Sequence, residues 1–200
     1  MRSQMAEDCG AGSDAQSRCC EDTGLLLRLR PAHDHDRGFL QAVFESTRAD
    51  EFAQTGWDAQ RIAAVLAQQF LAQDAYYRQH YPRGRFDVIV QGATAIGRLY
   101  HDWCGSEARL IDIALLPAYR GAGLGGRIVR AFVARAAARA MPIVLYVEMN
   151  NPVQALYRRL GFEPIGENGV YVQMRRAVAP FADADAMPVA GLASDAAEQD

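Results

Sequence analysis

One run of apolar residues in the second half of the chain, Leu110–Leu116, is interrupted only by Asp112. Such a run predicts a buried strand. Pro117 ends the strand, and a glycine-rich turn then leads into apolar residues with helical spacing. These residues are Leu124, Ile128, Val129, Phe132, Val133, Ala136, Ala137 and Ala140. The pattern therefore predicts a strand, a glycine-rich turn and a helix in succession.

A second apolar run, Ile143–Val147, follows that helix and has no polar alternation. A strand of this kind is covered on both faces, and strand, helix and strand together should form one right-handed parallel unit. A further helix is predicted to begin with Asn151 as N-cap, Pro152 at its first position and Gln154 three residues past the cap. Gly161 stands just after its end.

The remaining pattern is weaker and predicts mainly short elements. In chain order these are a strand at 25–30, a helix carrying Phe39, Leu40, Val43 and Phe44, a longer helix at 59–79, a hairpin at 86–100, and final strands near 162 and 170–174. The polar segment Glu45–Glu51 breaks the apolar stripe of the first helix, and Asp58 is the predicted N-cap of the second.

Composition adds domain boundaries to this pattern. Half of the 200 residues are apolar, which is enough for one domain with a real core. Residues 1–23 are rich in Ser, Gly, Asp and Gln without periodicity, and we expect a disordered leader there. Residues 177–200 carry acidic but no basic side chains and are predicted to be a disordered, solvated tail. A single domain is expected over 24–176.

Charge and cysteine usage exclude several classes of partner. The net charge of −3 argues against a nucleic acid or an anionic membrane as partner. The sequence has no apolar run of about 18 residues and no signal segment at its start, so we expect a soluble, cytoplasmic protein. The four cysteines are Cys9, Cys19, Cys20 and Cys104. Their spacing does not resemble a metal site, and a reducing compartment is the simpler interpretation.

The glycine-rich turn, Arg120–Gly126, suits a phosphate ligand. Backbone N–H groups at a helix N-terminus have no partner within the helix, and the helix dipole adds positive potential there. Glycines let the main chain approach a ligand closely. A glycine-rich connection that binds nothing is the alternative.

Three phosphate-binding motifs compete for this turn. A Walker loop requires lysine, which the sequence lacks. Gly121, Gly123 and Gly126 match the dinucleotide fingerprint, with Glu148 about 20 residues further on. However, Pro117–Arg120 separates the strand from the first glycine, and too little chain follows Glu148 for a doubly wound sheet. The third motif, Arg-x-x-Gly-x-Gly, starts at Arg120.

This third motif resembles the pyrophosphate loop of the GNAT superfamily of acetyl-CoA-dependent N-acetyltransferases. Asn150–Phe162 resembles the second signature of the family, an Asn-led helix that carries Tyr157 and ends in Leu-Gly-Phe. The first half of the chain matches only in its pattern of elements. The resemblance implies an α/β (α+β) fold: a central mixed, partly parallel sheet of about six to seven strands flanked by about four helices.

The resemblance also implies how acetyl-CoA is bound. Main-chain groups of Ala114, Leu115 and Leu116 are expected to contact the pantetheine arm as an added strand would. The pyrophosphate is assigned to Arg120 and to the backbone amides of Gly121, Ala122, Gly123, Leu124, Gly125 and Gly126. Asn150 and Asn151 are expected near the pantetheine or the adenine side. No metal is required.

The implied reaction is acetyl transfer to a primary amine by direct attack in a ternary complex. Tyr157 falls where the family has the tyrosine that protonates the coenzyme A sulfur, and a core tyrosine is the alternative. Asp112, a carboxylate within an apolar strand, is one candidate base, because its burial is costly unless it faces a cleft or a partner. Glu148, at the end of the next parallel strand, is another, and a water relay is the third.

The acceptor is the least determined part. Glu45, Asp50, Glu51 and Trp57 would suit a cationic amine, but a solvated charged loop explains the same residues. A small amine, an amino acid, an aminoglycoside and a protein N-terminus all stay open, as do a monomer and a homodimer. Two other functions are weighed. An NAD-linked oxidoreductase would need a strand ending immediately before Gly121, and in a non-catalytic acyl-CoA sensor Tyr157 and Asp112 would be dispensable.

Overall fold

Seven strands and four α-helices occupy the residues that this computed structural model describes, 26–103, 105–181 and 189–192. In chain order they are β1 (Leu27–Pro31), α1 (Arg37–Ala53), α2 (Ala59–His80), β2 (Arg85–Gln91), β3 (Thr94–Asp102), β4 (Ala108–Leu115), α3 (Leu124–Ala138), β5 (Ile143–Glu148), α4 (Gln154–Arg159), β6 (Glu163–Asn168) and β7 (Tyr171–Arg176). The fold class predicted from the sequence is confirmed. Among the described helices, none has the length and apolar character needed to cross a membrane.

All seven strands form one sheet in the order β1-β2-β3-β4-β5-β7-β6. Neighbouring strands are antiparallel except β4 and β5, which are parallel, as the strand-helix-strand pattern predicts. The two parallel strands pair only over Ala108–Leu110 and Ile143–Leu145. The parallel pair is therefore short and lies at the centre of the sheet.

The sheet buries apolar residues on both faces. Successive strand residues point to opposite sides, so Val88 and Val90 pack under α1 and α2 while Ile89 belongs to the core beneath α3. In the apolar cluster under α1 and α2, the ring centroids of Phe44 (α1) and Phe70 (α2) lie 6.0 Å apart. The two helical layers thus cover opposite faces of the same strands.

Helix α1 continues through the polar segment Glu45–Glu51, where the sequence predicts a break. The segment contains neither glycine nor proline, so only the apolar stripe ends there and not the helix. The hydroxyls of Ser46 and Thr47 donate to backbone carbonyls within the helix, each at 2.7 Å. The extra turns place the hydroxyl of Ser46 where Nη2 of Arg120 donates to it at 2.8 Å.

The helix caps agree with the predictions in part. The carboxylate of Asp58 accepts the backbone N–H of Arg61 at 2.9 Å, which confirms the N-cap of α2. Regular α4 begins at Gln154, although the side chain of Asn151 accepts the N–H of Val153 at 3.0 Å. The amide of Gln154 donates to the carbonyls of Glu148 and Met149, not back to the cap.

Four residues of the predicted solvated tail, Val189–Leu192, pack on β1. The N–H of Leu29 donates to the carbonyl of Ala190 at 2.7 Å, and the side chains of Val189 and Leu192 are buried. The prediction of a solvated tail is therefore wrong for these residues, because a strand edge and two apolar side chains suffice to hold them. The predicted leader and all four cysteines lie outside the described residues, and the boundaries at 24 and 176 stay predictions.

Candidate active site

A cleft of about 570 Å³ opens where β4 and β5 part. Within the described residues their pairing ends at Leu110 and Leu145, yet β4 continues to Leu115 and β5 to Glu148. Two groups of lining residues face this space. We call Leu115 and the turn Arg120–Gly126, in which Ala122 alone does not line the cleft, the glycine wall, and we call Arg48, Gln73, Tyr77 and Arg98 the arginine wall.

The glycine wall presents main-chain N–H groups. Gly121 and Gly123 have φ angles of +78° and +76°, which residues with a side chain rarely adopt. Gly123 is the N-cap of α3 and has no side chain with which to cap the helix, and the N–H of Arg127 donates to the Gly123 carbonyl at 3.0 Å. The N–H groups of Leu124–Gly126 are therefore outside the helical ladder, as in anion sites at helix N-termini.

Arg120 braces the glycine wall against its surroundings. Its Nε donates to the carbonyl of Leu115 at 2.8 Å, and its Nη2 donates to the hydroxyl of Ser46 at 2.8 Å. The second bond ties the turn to the part of α1 that the sequence predicts as a break. The structure thus gives Arg120 a bracing role that its position in the motif does not reveal.

The free edge of β4 runs along the cleft. Ala114 and Leu115 line it, and on their other side they pair with Arg98 and Gly97 of β3. A Cβ atom on Gly97 would lie 2.3 Å from the carbonyl oxygen of Ala114, so only glycine allows this approach. The N–H of Leu116 donates to the carbonyl of Ile96 at 2.9 Å, away from the cleft.

The other predicted coenzyme residues divide between the cleft and the surface. Those that line the cleft are Gly121, Gly123, Leu124, Gly125, Gly126 and Asn151. Leu116, Ala122 and Asn150 lie outside the lining, and Ala122 and Asn150 are exposed. The structure therefore gathers most of the predicted set, but not all of it, around one space.

Tyr157 lies at the inner end of the cleft and is 5 % exposed. Its ring packs 5.6 Å from that of Phe162. Burial raises the pKa of its hydroxyl well above the ordinary value, and the charge of Asp112 adds to this shift. The hydroxyl is therefore neutral throughout the physiological range and can act as a donor.

Asp112 forms an ion pair with Arg98 at the floor of the cleft, with Oδ2 2.5 Å from Nη2. Arg98 is 3 % exposed and also donates to the amide oxygen of Gln73 at 2.9 Å. Burial lowers the pKa of Arg98, but the charge of Asp112 contributes to a net upward shift. The sequence reasoning missed Arg98, although a lone arginine in the apolar run Ile96–Tyr100 is the same signal that marked Asp112.

Glu148 stands at the mouth of the cleft, and its side chain is 39 % exposed. Its Oε1 lies 3.3 Å from Nη2 of Arg48. The Nη1 atom of the same arginine lies 3.1 Å from Oε1 of Glu51. The predicted acceptor-side residues Glu45, Asp50, Glu51 and Trp57 do not line the cleft. Arg48 was not predicted as a site residue because it belongs to the polar segment Glu45–Glu51, where the sequence predicts a break in the helical pattern.

The sequence and its geometry match one family. Residues 40–162 match the model of the Acetyltransferase (GNAT) family. The chain belongs to the GNAT family. It is similar to the N-alpha-acetyltransferase RimI of Mycobacterium tuberculosis, with 33 % identity over 128 residues that span 57 % of this chain and 78 % of that relative. GNAT membership makes the protein an N-acetyltransferase.

Solved structures share the GNAT fold. The PaiA N-acetyltransferase of Thermoplasma acidophilum, solved in complex with coenzyme A, has a TM-score of 0.58 at 18 % identity and covers 76 % of this chain and 99 % of its own. The ribosomal-protein-S18-alanine N-acetyltransferase of Escherichia coli has a TM-score of 0.52 at 17 % identity, covering 80 % and 97 %. At these identities the likeness concerns the fold.

The dinucleotide-binding alternative does not fit this GNAT protein. It required a strand that ends immediately before Gly121. Strand β4 ends at Leu115, and a 3-10 turn over Pro117–Tyr119 stands between them. The oxidoreductase reading of the three glycines is therefore wrong.

Proposed function

We propose that the protein transfers the acetyl group of acetyl-CoA to the N-terminal α-amine of a polypeptide. The observation that carries the proposal is the separation of β4 and β5 beside the glycine wall, because it provides a free strand edge, an anion site and Tyr157 around one cleft. The names of RimI and of the S18-alanine enzyme support an α-amine acceptor.

Acetyl-CoA fits the chemistry of this space. The N–H groups of Gly121–Gly126 suit its pyrophosphate, and the left-handed glycines let the phosphates approach the main chain. The free edge at Ala114 and Leu115 suits the amides of the pantetheine arm, which would lie along β4 as an extra strand. Asn151 lines the same cleft, and its side chain accepts the N–H of Val153 just before α4.

The reaction then needs few protein groups. The amine nitrogen attacks the thioester carbonyl, the C–N bond forms and the C–S bond breaks. The nitrogen loses a proton to a base, and Tyr157 donates to the departing thiolate. An α-amine has a pKa of about 7.7–8.0, against about 10.4 for lysine, so a modest base is sufficient.

Two carboxylates are candidates for that base. Asp112 is held by Arg98 at the cleft floor, whereas Glu148 is half-exposed at the mouth and can exchange a proton with solvent. We assign proton acceptance to Glu148, directly or through water. Asp112 then supplies negative charge close to Tyr157, which favours the neutral hydroxyl.

A two-part experiment tests the proposal. Thermal unfolding is followed with coenzyme A and with NADH, since a ligand at about 100 times its Kd adds about 2.7 kcal/mol, a shift of a few degrees. Thiol release from acetyl-CoA is then measured with a lysine-free hexapeptide that begins with Ala, and with the same peptide acetylated at its N-terminus.

We expect the unfolding midpoint to rise with coenzyme A but not with NADH. We expect thiol release with the free peptide but not with the acetylated one. A shift with coenzyme A but no acetylation of any amine would favour the acyl-CoA sensor. No shift with coenzyme A would contradict the proposal.

A further inference from the structure

One ion pair spans the mouth of the cleft. Arg48 projects from α1 on the arginine wall, and Glu148 ends β5 on the opposite side. Their Nη2 and Oε1 atoms lie 3.3 Å apart, and both residues line the cleft. The carboxylate nearest to solvent is therefore engaged by a cation that belongs to the protein.

Arg48 has a second carboxylate within reach. Its Nη1 donates to Oε1 of Glu51, one turn further along α1, at 3.1 Å. Glu51 is outside the cleft lining and is 56 % exposed. If another cation took the place of Arg48 at Glu148, the guanidinium would still keep an anionic partner on its own helix.

The pair at the mouth is also weak enough to exchange. The side chains of Arg48 and Glu148 are 25 % and 39 % exposed, and ion pairs of this kind change equilibrium constants by about 1.5- to 5-fold. An incoming ammonium can therefore replace Arg48 at a small cost. By contrast, the Arg98 pair at the floor is buried and cannot exchange in this way.

We propose that Arg48 is an internal competitor for the acceptor. It holds the carboxylate of Glu148 that the acceptor's ammonium contacts on arrival, and it turns fully to Glu51 when the ammonium takes its place. This inference rests on the proposed function. It makes Arg48 a specificity-determining residue: a cationic amine can displace it, whereas a neutral acceptor cannot.

The test measures the binding of the acceptor separately from turnover. Calorimetry at pH 6.5 gives the affinity of the Ala-led hexapeptide for the complex of the protein with coenzyme A, since the α-amine is then charged. For Arg48→Gln we expect 1.5- to 5-fold tighter binding of the peptide and an unchanged KM for acetyl-CoA. Arg48→Met is a second variant with the same expectation.

Two further variants show whether the effect belongs to this pair. The double variant R48Q/E148Q should bind the peptide no more tightly than E148Q alone. Arg61→Gln removes the same charge from α2 outside the cleft, where Arg61 covers the ring of Trp57, and should leave peptide affinity unchanged.

Unchanged or weaker binding by both Arg48 variants, in a protein that binds and acetylates the peptide, would overturn the inference and leave the proposed function intact. If the wild-type protein neither binds nor acetylates the peptide, both fail.

Discussion

The two walls of the cleft are built from different chemical groups. The glycine wall uses main-chain N–H groups of consecutive residues, fixed by the left-handed Gly121 and Gly123. The arginine wall uses side chains of α1, α2 and β3, among them Arg48 and Arg98. A main-chain site depends on local conformation, and a side-chain site depends on charges that the tertiary fold brings together. Substitutions in the glycine wall should therefore act through the backbone conformation, and substitutions in the arginine wall should act through charge.

The largest effect is expected at the buried ion pair that Arg98 of the arginine wall forms with Asp112. Asp112→Asn leaves the guanidinium of Arg98 buried without its counter-charge, and breaking such a pair costs about 3–5 kcal/mol. Because Asp112 partly faces the cleft, we expect about 3 kcal/mol in urea unfolding. The double variant R98M/D112L should restore most of this stability. A loss below about 1 kcal/mol for Asp112→Asn would contradict the view that this wall is held by buried charge.

The next effect separates chemistry from stability. Tyr157→Phe removes only the hydroxyl, and loss of a general acid lowers kcat by about 100-fold or more. Because burial raises the pKa of Tyr157 far above the ordinary value, the ratio of wild-type to variant kcat should be constant from about pH 6 to 9.

Tyr146→Phe is the control for Tyr157→Phe, since Tyr146 lines the same cleft but is 41 % exposed. We expect its kcat to stay close to that of the wild type. A ratio for Tyr157→Phe within about twofold of unity at every pH would remove Tyr157 from the reaction.

A smaller effect tests the main-chain character of the glycine wall. Gly123→Ala forces a side chain into the left-handed region, at about 1–2 kcal/mol, and we expect the KM for acetyl-CoA to rise about 5- to 30-fold. Gly92→Ala imposes the same strain, at φ +59°, in the β2–β3 turn away from the cleft. Gly92→Ala should lower the stability of the protein without changing the KM for acetyl-CoA. Equal KM values for the two variants would refute the assignment of the glycine wall as the acetyl-CoA site.

The smallest effect lies outside both walls. Arg30 donates to both carboxylate oxygens of Asp36 at 2.7 Å, and this bond holds the pKa of Asp36 well below its usual range. A lowered pKa in the folded state stabilises above the unfolded pKa and is lost as pH falls through the folded one. Asp36→Asn should therefore cost about 1 kcal/mol at pH 7 and progressively less below about pH 4.

Kinetic constants for Asp36→Asn should match those of the wild type, because Asp36 lies outside the cleft lining. A variant that unfolds with the same pH dependence as the wild type would show that the pair with Arg30 does not carry this stability.

The difference between the walls also explains what the sequence could predict. The strand, turn and helix around Gly121–Gly126 are encoded by consecutive residues. The apolar pattern of the sequence therefore predicted both their order and the parallel pairing of β4 with β5. Arg48 meets Glu148, and Arg98 meets Asp112, only because distant elements pack together. The apolar pattern also says nothing about a helix that continues through polar residues, as α1 does beyond Phe44.

The short segment that packs on β1 has a further consequence. β1 is an edge strand of the sheet, and the main chain of Ala190 forms hydrogen bonds with Leu27 and Leu29 along its outer side. An uncovered strand edge is a template for pairing with another molecule. A shortened protein that ends before Val189 would present this edge to its neighbours, and we expect it to self-associate into aggregates while its cleft stays intact.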